Sequence, residues 1–129
     1  LFLQRDRMSK KLFALQEKLR LHALTFPEAH EAHPWGHIAV KVRKKAFVFL
    51  SGAELYEGKL GMTVKLPLSG DMVVTLPYVE PAGYGLGKSG WVTLRLGPKD
   101  PVDLDMFRGW IAQSYRAVAP KKLAATVPA

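Results

Sequence analysis

The sequence of 129 residues contains no cysteine, which excludes a disulfide framework and a thiolate metal site. It also lacks a long apolar run: the longest one is far too short to span a membrane, and the N-terminal residues do not have the layout of a signal peptide. No Gly-x-Ser-x-Gly nucleophile elbow is present. We therefore expect a cytoplasmic protein that is not an enzyme and does not bind a membrane.

Acidic residues are few, since 11 Asp and Glu stand against 19 Lys and Arg, for a net charge of +8. The basic excess is concentrated in residues 5–11, 41–45 and 59–65. Clustered positive charge attracts polyanions because binding releases their counterions. A solvated basic surface that only aids solubility is the alternative explanation of the same charge.

The length and the 48% content of hydrophobic residues suit a single domain with one core. We assign this domain to residues 8–119. Residues 1–7 are predicted to be an N-terminal extension, because the Met-Ser-Lys-Lys that follows them resembles a natural start. Residues 120–129 are predicted to be a flexible C-terminal tail.

Apolar residues near the N-terminus recur every three or four positions, which predicts an amphipathic helix over residues 9–24. A proline soon after ends it, because the residue before a proline avoids helical backbone angles. Residues 28–36 are polar and are predicted to form a loop. Near the C-terminus, Asp100 and Pro101 are predicted to cap and begin a second helix, over residues 102–119.

Between these helices, apolar and polar residues alternate, which is typical of strands with one buried face. The predicted strands are residues 37–42, 46–50, 61–66 and 91–96. Consecutive strands with short links are antiparallel, so the expected fold class is α+β, with a single antiparallel sheet and helices packed on one face. Residues 69–76 are ambiguous, because they have strand propensity but begin like a helix.

Residues 82–89 read Ala-Gly-Tyr-Gly-Leu-Gly-Lys-Ser, which satisfies a loose form of the phosphate-binding loop pattern. That loop requires a helix that starts at its lysine, whereas Gly90 and the alternating residues after it predict a strand beyond Lys88. No later apolar run ends in an aspartate placed to hold a metal ion. We therefore expect a glycine-rich loop, no ATP hydrolysis and no cofactor.

Four short motifs occur in one order along the chain. They are Glu31-x-x-Pro34-Trp35-Gly36 before a strand, Lys45-Ala46-Phe47 in the return strand, Gly83-Tyr84-Gly85-Leu86-Gly87-Lys88-x-x-Trp91, and Ser114-Tyr115 in the last helix. Together they resemble the MmcQ/YjbR family over residues 8–118. The resemblance implies a frataxin-like fold in the order helix–strands–helix–strand–helix, with a helix over residues 69–76. It also implies a DNA-binding protein of the double-wing type.

From the charge and this resemblance we predict a protein that binds nucleic acid through its phosphates. The predicted phosphate contacts are Arg43, Lys44, Lys45 and Lys88. Tyr84, in the glycine-rich loop, is the candidate for stacking on an unpaired base. Binding is expected to be non-specific, because no helix carries Arg, Asn or Gln in a pattern suited to base readout.

The alternative function is an adaptor that binds a protein or an acidic small molecule near Trp35, Tyr84 and Lys88. Glu31, Trp35 and Trp91 mark the corresponding ligand region. Each has a structural explanation as well: the two tryptophans as core or rim packing, and Glu31 as an ion-pair partner of Lys88. The oligomeric state stays open at this point, with a monomer favoured.

A metal site is the remaining candidate, because Glu28, His30, Glu31, His33 and His37 lie in one short stretch. Imidazole and carboxylate ligands suit zinc or iron. A proline interrupts their spacing, however, and the predicted first helix is basic, which is the wrong charge for a cation site. We expect no metal.

Overall fold

The computed structural model of the chain describes residues 2–83 and 85–128. The helices in this part of the chain are α1 (Phe2–Leu24), α2 (Gly70–Val73), α3 (Leu104–Val118) and α4 (Lys121–Ala124). The strands are β1 (Ala29–Ala32), β2 (Ile38–Val42), β3 (Lys45–Leu50), β4 (Leu60–Lys65), β5 (Val79–Pro81) and β6 (Trp91–Leu96). None of the described helices combines the length and the apolar character that a membrane crossing requires.

The strands form one sheet in the order β1-β2-β3-β4-β6-β5, and every neighbouring pair is antiparallel. In β4, Leu60, Met62 and Val64 are fully buried, while the residues between them are partly exposed. Their buried face meets α1 and α3, which pack on the sheet and on each other. The predicted α+β fold class, with one antiparallel sheet and helices on one face, is confirmed.

Both edge strands were missed by the sequence patterns. β1 lies in the predicted loop of residues 28–36, and β5 ends at Pro81, directly before the glycine-rich loop. Edge strands this short pair on one side only, so they need no run of alternating apolar residues. The helix that the family resemblance implied over residues 69–76 is present as α2.

The helix ends also differ from the predictions. α1 begins at Phe2, so residues 2–7 continue the first helix. Asp103 caps α3 by accepting a hydrogen bond from the Met106 backbone N–H at 3.0 Å. The predicted cap, Asp100, instead accepts the Gly97 N–H at 2.7 Å and closes the turn after β6.

The C-terminal tail, which we expected to be flexible over residues 120–129, contains α4. Leu123 and Val127 are partly buried against the core. Apolar contacts with the core therefore stabilise α4, although its sequence shows little helical pattern.

A β-bulge in β3 shapes one end of the sheet. Val40 pairs with Val48, but the next residue of β2, Lys41, pairs with Ala46, so Phe47 is an extra residue on β3. The bulge lets two consecutive residues, Phe47 and Val48, both face the core, where both are fully buried. It also ends the direct pairing of β3 with β4 at the Val48–Val64 pair.

Ser114 of α3 fills the gap that this leaves between β3 and β4. Its hydroxyl donates to the Phe47 carbonyl at 2.6 Å and accepts from the Lys65 backbone N–H at 2.8 Å. Ser114 is completely buried, so one side chain satisfies two backbone groups that have no ladder partner. A side chain of α3 thereby replaces the hydrogen bonds that β3 and β4 do not make with each other here.

The neighbouring Tyr115 fixes the same region from its other side. Its ring centroid lies 5.0 Å from that of Phe26 and 5.1 Å from that of Phe47. Its hydroxyl donates to the Pro27 carbonyl at 2.8 Å, and burial raises the pKa of this phenol. Ser114 and Tyr115 together join α3, the bulge and the link from α1 to β1.

We predict that Ser114→Ala lowers the free energy of unfolding by about 2–6 kcal/mol, because it leaves the partly buried Lys65 N–H and the buried Phe47 carbonyl without a partner, at about 1–3 kcal/mol each. Urea denaturation measures this loss. Ser89→Ala is the matched control, since Ser89 is exposed, and it should change the stability by less than about 0.5 kcal/mol. A loss in Ser114→Ala as small as that of the control would contradict the bridging role.

Candidate nucleic-acid interface

The β2–β3 hairpin presents the central basic cluster of the sequence at the end of the sheet where the bulge lies. Arg43 has a left-handed backbone with φ 57°, as does Glu28, with φ 59°, beyond the paired end of β1. The Arg43 guanidinium donates to both Glu28 carboxylate oxygens, at 2.6 and 3.1 Å. These hydrogen bonds raise the pKa of Arg43 and lower that of Glu28. Arg43, predicted to contact phosphate, is therefore already engaged with a carboxylate.

Four lysines of the hairpin and of the adjacent strand β4 carry positive charge at this end of the sheet. They are Lys41, Lys44, Lys45 and Lys65. Within the described part of the chain, no ion pair joins any of them to a carboxylate. Lys41 and Lys65 occupy positions of β2 and β4 that face away from the helices. All four lysines are therefore available to bind an anion.

Lys88 lies in a different place from this cluster. The glycine-rich loop forms a 3₁₀ turn, Leu86–Ser89, and β6 begins immediately after it. Lys88 lines a depression that also contains Asp71 of α2, so a carboxylate lies near this predicted phosphate contact. Lys88 reaches the same end of the sheet as the hairpin, but it does not line the depressions beside Lys44 and Lys45.

Four backbone N–H groups in the described part of the glycine-rich loop are already paired inside the loop. The N–H groups of Leu86, Gly87, Lys88 and Gly90 all donate to carbonyls between Ala82 and Gly87, over 3.1–3.3 Å. A phosphate-binding loop needs such N–H groups free to point at the ligand. The interpretation of this segment as a structural loop agrees with that geometry.

Close packing explains why two positions of the loop are glycine. Gly90 has φ 88°, and a Cβ there would lie 3.0 Å from the Pro67 Cα; a Cβ on Gly87 would lie 2.9 Å from the Pro81 Cβ. Only glycine allows such an approach without strain. Tyr84, the predicted stacking residue, lies outside the described residues.

The predicted ligand region of Glu31, Trp35 and Trp91 is not assembled. Glu31 lies on β1 and pairs with Arg20 at 2.6 Å and with His33 at 2.8 Å, so the proposed pair with Lys88 is wrong. Trp35 belongs to the loop that precedes Ile38, whereas Trp91 begins β6 at the opposite end of the sheet.

The two tryptophans also differ in their surroundings. Trp35 has a left-handed backbone, with φ 54°, and is 96% exposed, so the expectation that it packs in the core or at its rim is wrong. Trp91 is half-buried, and its ring centroid lies 6.0 Å from that of Phe49. Packing at the rim is thus correct for Trp91 alone.

The residues of the candidate metal site do not converge on one point. Glu28 pairs with Arg43, His33 with Glu31, and the His37 ring with the Ser51 carbonyl at 2.9 Å. Across residues 2–83 and 85–128, no three His, Asp or Glu side chains lie together as a metal site would require.

Three residues beside the basic cluster of the hairpin, Lys41, Lys65 and Phe49, were not identified from the sequence. Alternation in the predicted strands assigns Lys41 and Lys65 to the solvent face, but residues 46–50 are all apolar and give no such signal for Phe49. The structure places Phe49 on that face, where it is 37% exposed.

We predict that Gly90→Ala lowers the free energy of unfolding by about 2 kcal/mol or more, because alanine at a positive φ is strained and its Cβ meets Pro67. Gly83→Ala is the matched control. Gly83 has no atom within 4 Å of a built Cβ, so this change should be neutral or slightly stabilising. Equal losses in the two variants, measured by urea denaturation, would contradict the packing role of Gly90.

Comparison with known proteins agrees with this architecture. The sequence model of the YjbR family matches residues 24–117. The fold resembles the crystal structure of the Deinococcus radiodurans protein DR2400, described by the domain name DUF419, with a TM-score of 0.67 and 20% identity over 87% of this chain and 88% of that chain. No curated protein sequence matches the chain. Because the family match covers most of the sequence, the chain belongs to the YjbR family.

Proposed function

We propose that the protein binds nucleic acid through its phosphates, without sequence-specific readout. The observation that carries the proposal is the group of lysines at the bulged end of the sheet, Lys41, Lys44, Lys45 and Lys65, which have no carboxylate partner among the described residues. Such lysines neutralise phosphates and release counterions, which favours binding to any nucleic acid. Lys88 adds charge from the neighbouring loop.

A binding function without catalysis suits the same geometry. The buried hydroxyl of Ser114 is hydrogen-bonded to the Phe47 carbonyl and the Lys65 N–H, and four N–H groups of the glycine-rich loop donate to carbonyls within the loop. Lysine contacts are point charges without the planar fork of arginine, so they recognise phosphate more than base edges. We therefore expect contacts that position the protein on its ligand without selecting a sequence.

An adaptor that binds a protein partner is the second candidate function, and Trp35 favours it. Tryptophan is enriched among the residues that dominate protein interfaces, and this one is 96% exposed on a strained turn. Lys88 lies at the other end of the sheet, so an adaptor site would involve Trp35 without Lys88.

We predict dissociation constants of about 10⁻⁴ to 10⁻⁶ M for random duplex DNA near physiological salt. Four lysine contacts give a log–log salt slope of about −3.6, from about −0.9 for each contact. Fluorescence anisotropy at several salt concentrations measures both quantities. No binding at low salt would end the nucleic-acid proposal and favour the adaptor.

We predict that Lys44→Ala or Lys45→Ala flattens this salt slope by about one unit and weakens all sequences alike. Lys99→Ala is the matched control, because Lys99 is exposed in the loop after β6, at the opposite end of the sheet, and loses the same charge. An equal effect of Lys99→Ala would show that net charge, and not this surface, determines the affinity. Lys88→Ala measures the contribution of the loop, and ATP hydrolysis should stay at background in this variant and in the wild type.

A further inference from the structure

The sheet face opposite the helices carries a pair of aromatic rings. Phe49 of β3 and Trp91 of β6 lie on strands that both flank β4, and their ring centroids are 6.0 Å apart. The two rings therefore meet above β4, on the face that α1 and α3 leave open. Phe49 is 37% exposed, so part of its ring is available to a ligand.

Two shallow depressions flank Phe49, and each is lined by two lysines. One depression, of about 420 Å³, contains Lys41 and Lys44 beside Ala32, Ala39 and Ala46. The other, of about 310 Å³, contains Lys45 and Lys65 beside Trp91 and the end of α3. No Asp or Glu lines either one. Their volumes are at the low end of the range for ligand pockets, about 300–1,000 Å³, so each suits a group of the size of a nucleobase.

The rest of the open face has its polar groups engaged. Arg95 of β6 donates to Glu80 of β5 at 2.6 Å, and its guanidinium lies 5.8 Å from the centre of the Tyr56 ring. The Thr63 and Thr93 hydroxyls are 3.0 Å apart and hydrogen-bond to each other. Within the described residues of this open face, lysines without an ion pair therefore lie around Phe49.

We propose that this face binds single-stranded nucleic acid, with bases stacked on Phe49 and Trp91 and phosphates held by the lysines of the two depressions. The inference rests on the proposed function and specifies its ligand. Only unpaired bases offer a planar face to an aromatic ring, and such stacking tolerates any base. The alanines beside Phe49 leave room for the planar group. The expected ligand therefore carries phosphates and exposed planar bases, and the protein binds it without sequence preference.

The first test compares Phe49→Leu with wild type on a random single-stranded oligonucleotide and on duplex DNA at the same salt. Loss of a base–aromatic stack weakens binding by about 5- to 150-fold. We expect at least about a fivefold loss on the single strand and less than about a twofold change on the duplex. Phe49→Tyr retains the ring and should restore wild-type affinity.

Tyr56→Leu is the matched control, because Tyr56 is 67% exposed but lies near Arg95 and outside both depressions. It should leave both affinities unchanged. Thermal unfolding of each variant shows that it is folded at the temperature of the binding assay.

A spectroscopic test reports the stack directly. The Trp35→Phe variant keeps Trp91 and the buried Trp110 as emitters. Stacking a base on Trp91 quenches its fluorescence, so the single strand should quench this variant. The quenching should disappear when Trp91→Phe is added, because the remaining Trp110 is buried.

The outcomes separate this inference from the proposed function. If Lys44→Ala weakens binding but Phe49→Leu changes single strand and duplex equally or not at all, stacking is overturned and phosphate binding stands. If a polyglutamate peptide binds as tightly as the oligonucleotide and loses affinity in Phe49→Leu, the surface serves an acidic polypeptide and the inference is overturned. If neither nucleic acid binds at low salt, both fail.

Discussion

The hydroxyl of Ser114 is the contact on which the shape of this molecule depends. Because β3 bulges at Phe47, its ladder with β4 stops early, and two backbone groups inside the protein need another partner. Ser114 supplies both hydrogen bonds from the helix side. The position of α3 on the sheet is therefore set by polar geometry as well as by apolar packing, and Tyr115 extends this constraint to the Pro27 carbonyl.

The same constraint forms the candidate binding surface. Where β3 and β4 separate, Ala117 and Val118 of α3 line a depression together with Phe49 and Trp91 from the open face. The lysines at the ends of these strands surround that point. The β3 bulge and the Ser114 hydrogen bonds thus complete the core on the helix side and leave a basic, partly aromatic surface on the open side of the sheet.

The distribution of charge follows the chemistry of the side chains. Arg20, Arg43 and Arg95 each meet a glutamate, which suits the planar fork of the guanidinium. These exposed or half-exposed pairs contribute little to stability, but they engage three of the seven arginines with carboxylates. Twelve of the 19 basic residues are lysines, which attract phosphate as point charges.

Alternation and helical spacing in the sequence predicted the fold class, the strands of the β2–β3 hairpin and the two long helices, because these patterns record which faces are buried. Short motifs determined the family. The pairing of charges could not be read from the sequence, because Arg43 meets Glu28, and Glu31 meets Arg20, through contacts between residues far apart in the chain that no local pattern encodes. The tertiary structure also decided that Trp35 is exposed and that Phe49 meets Trp91 across β4, because both outcomes depend on strand order and on a bulge that shifts the register by one residue.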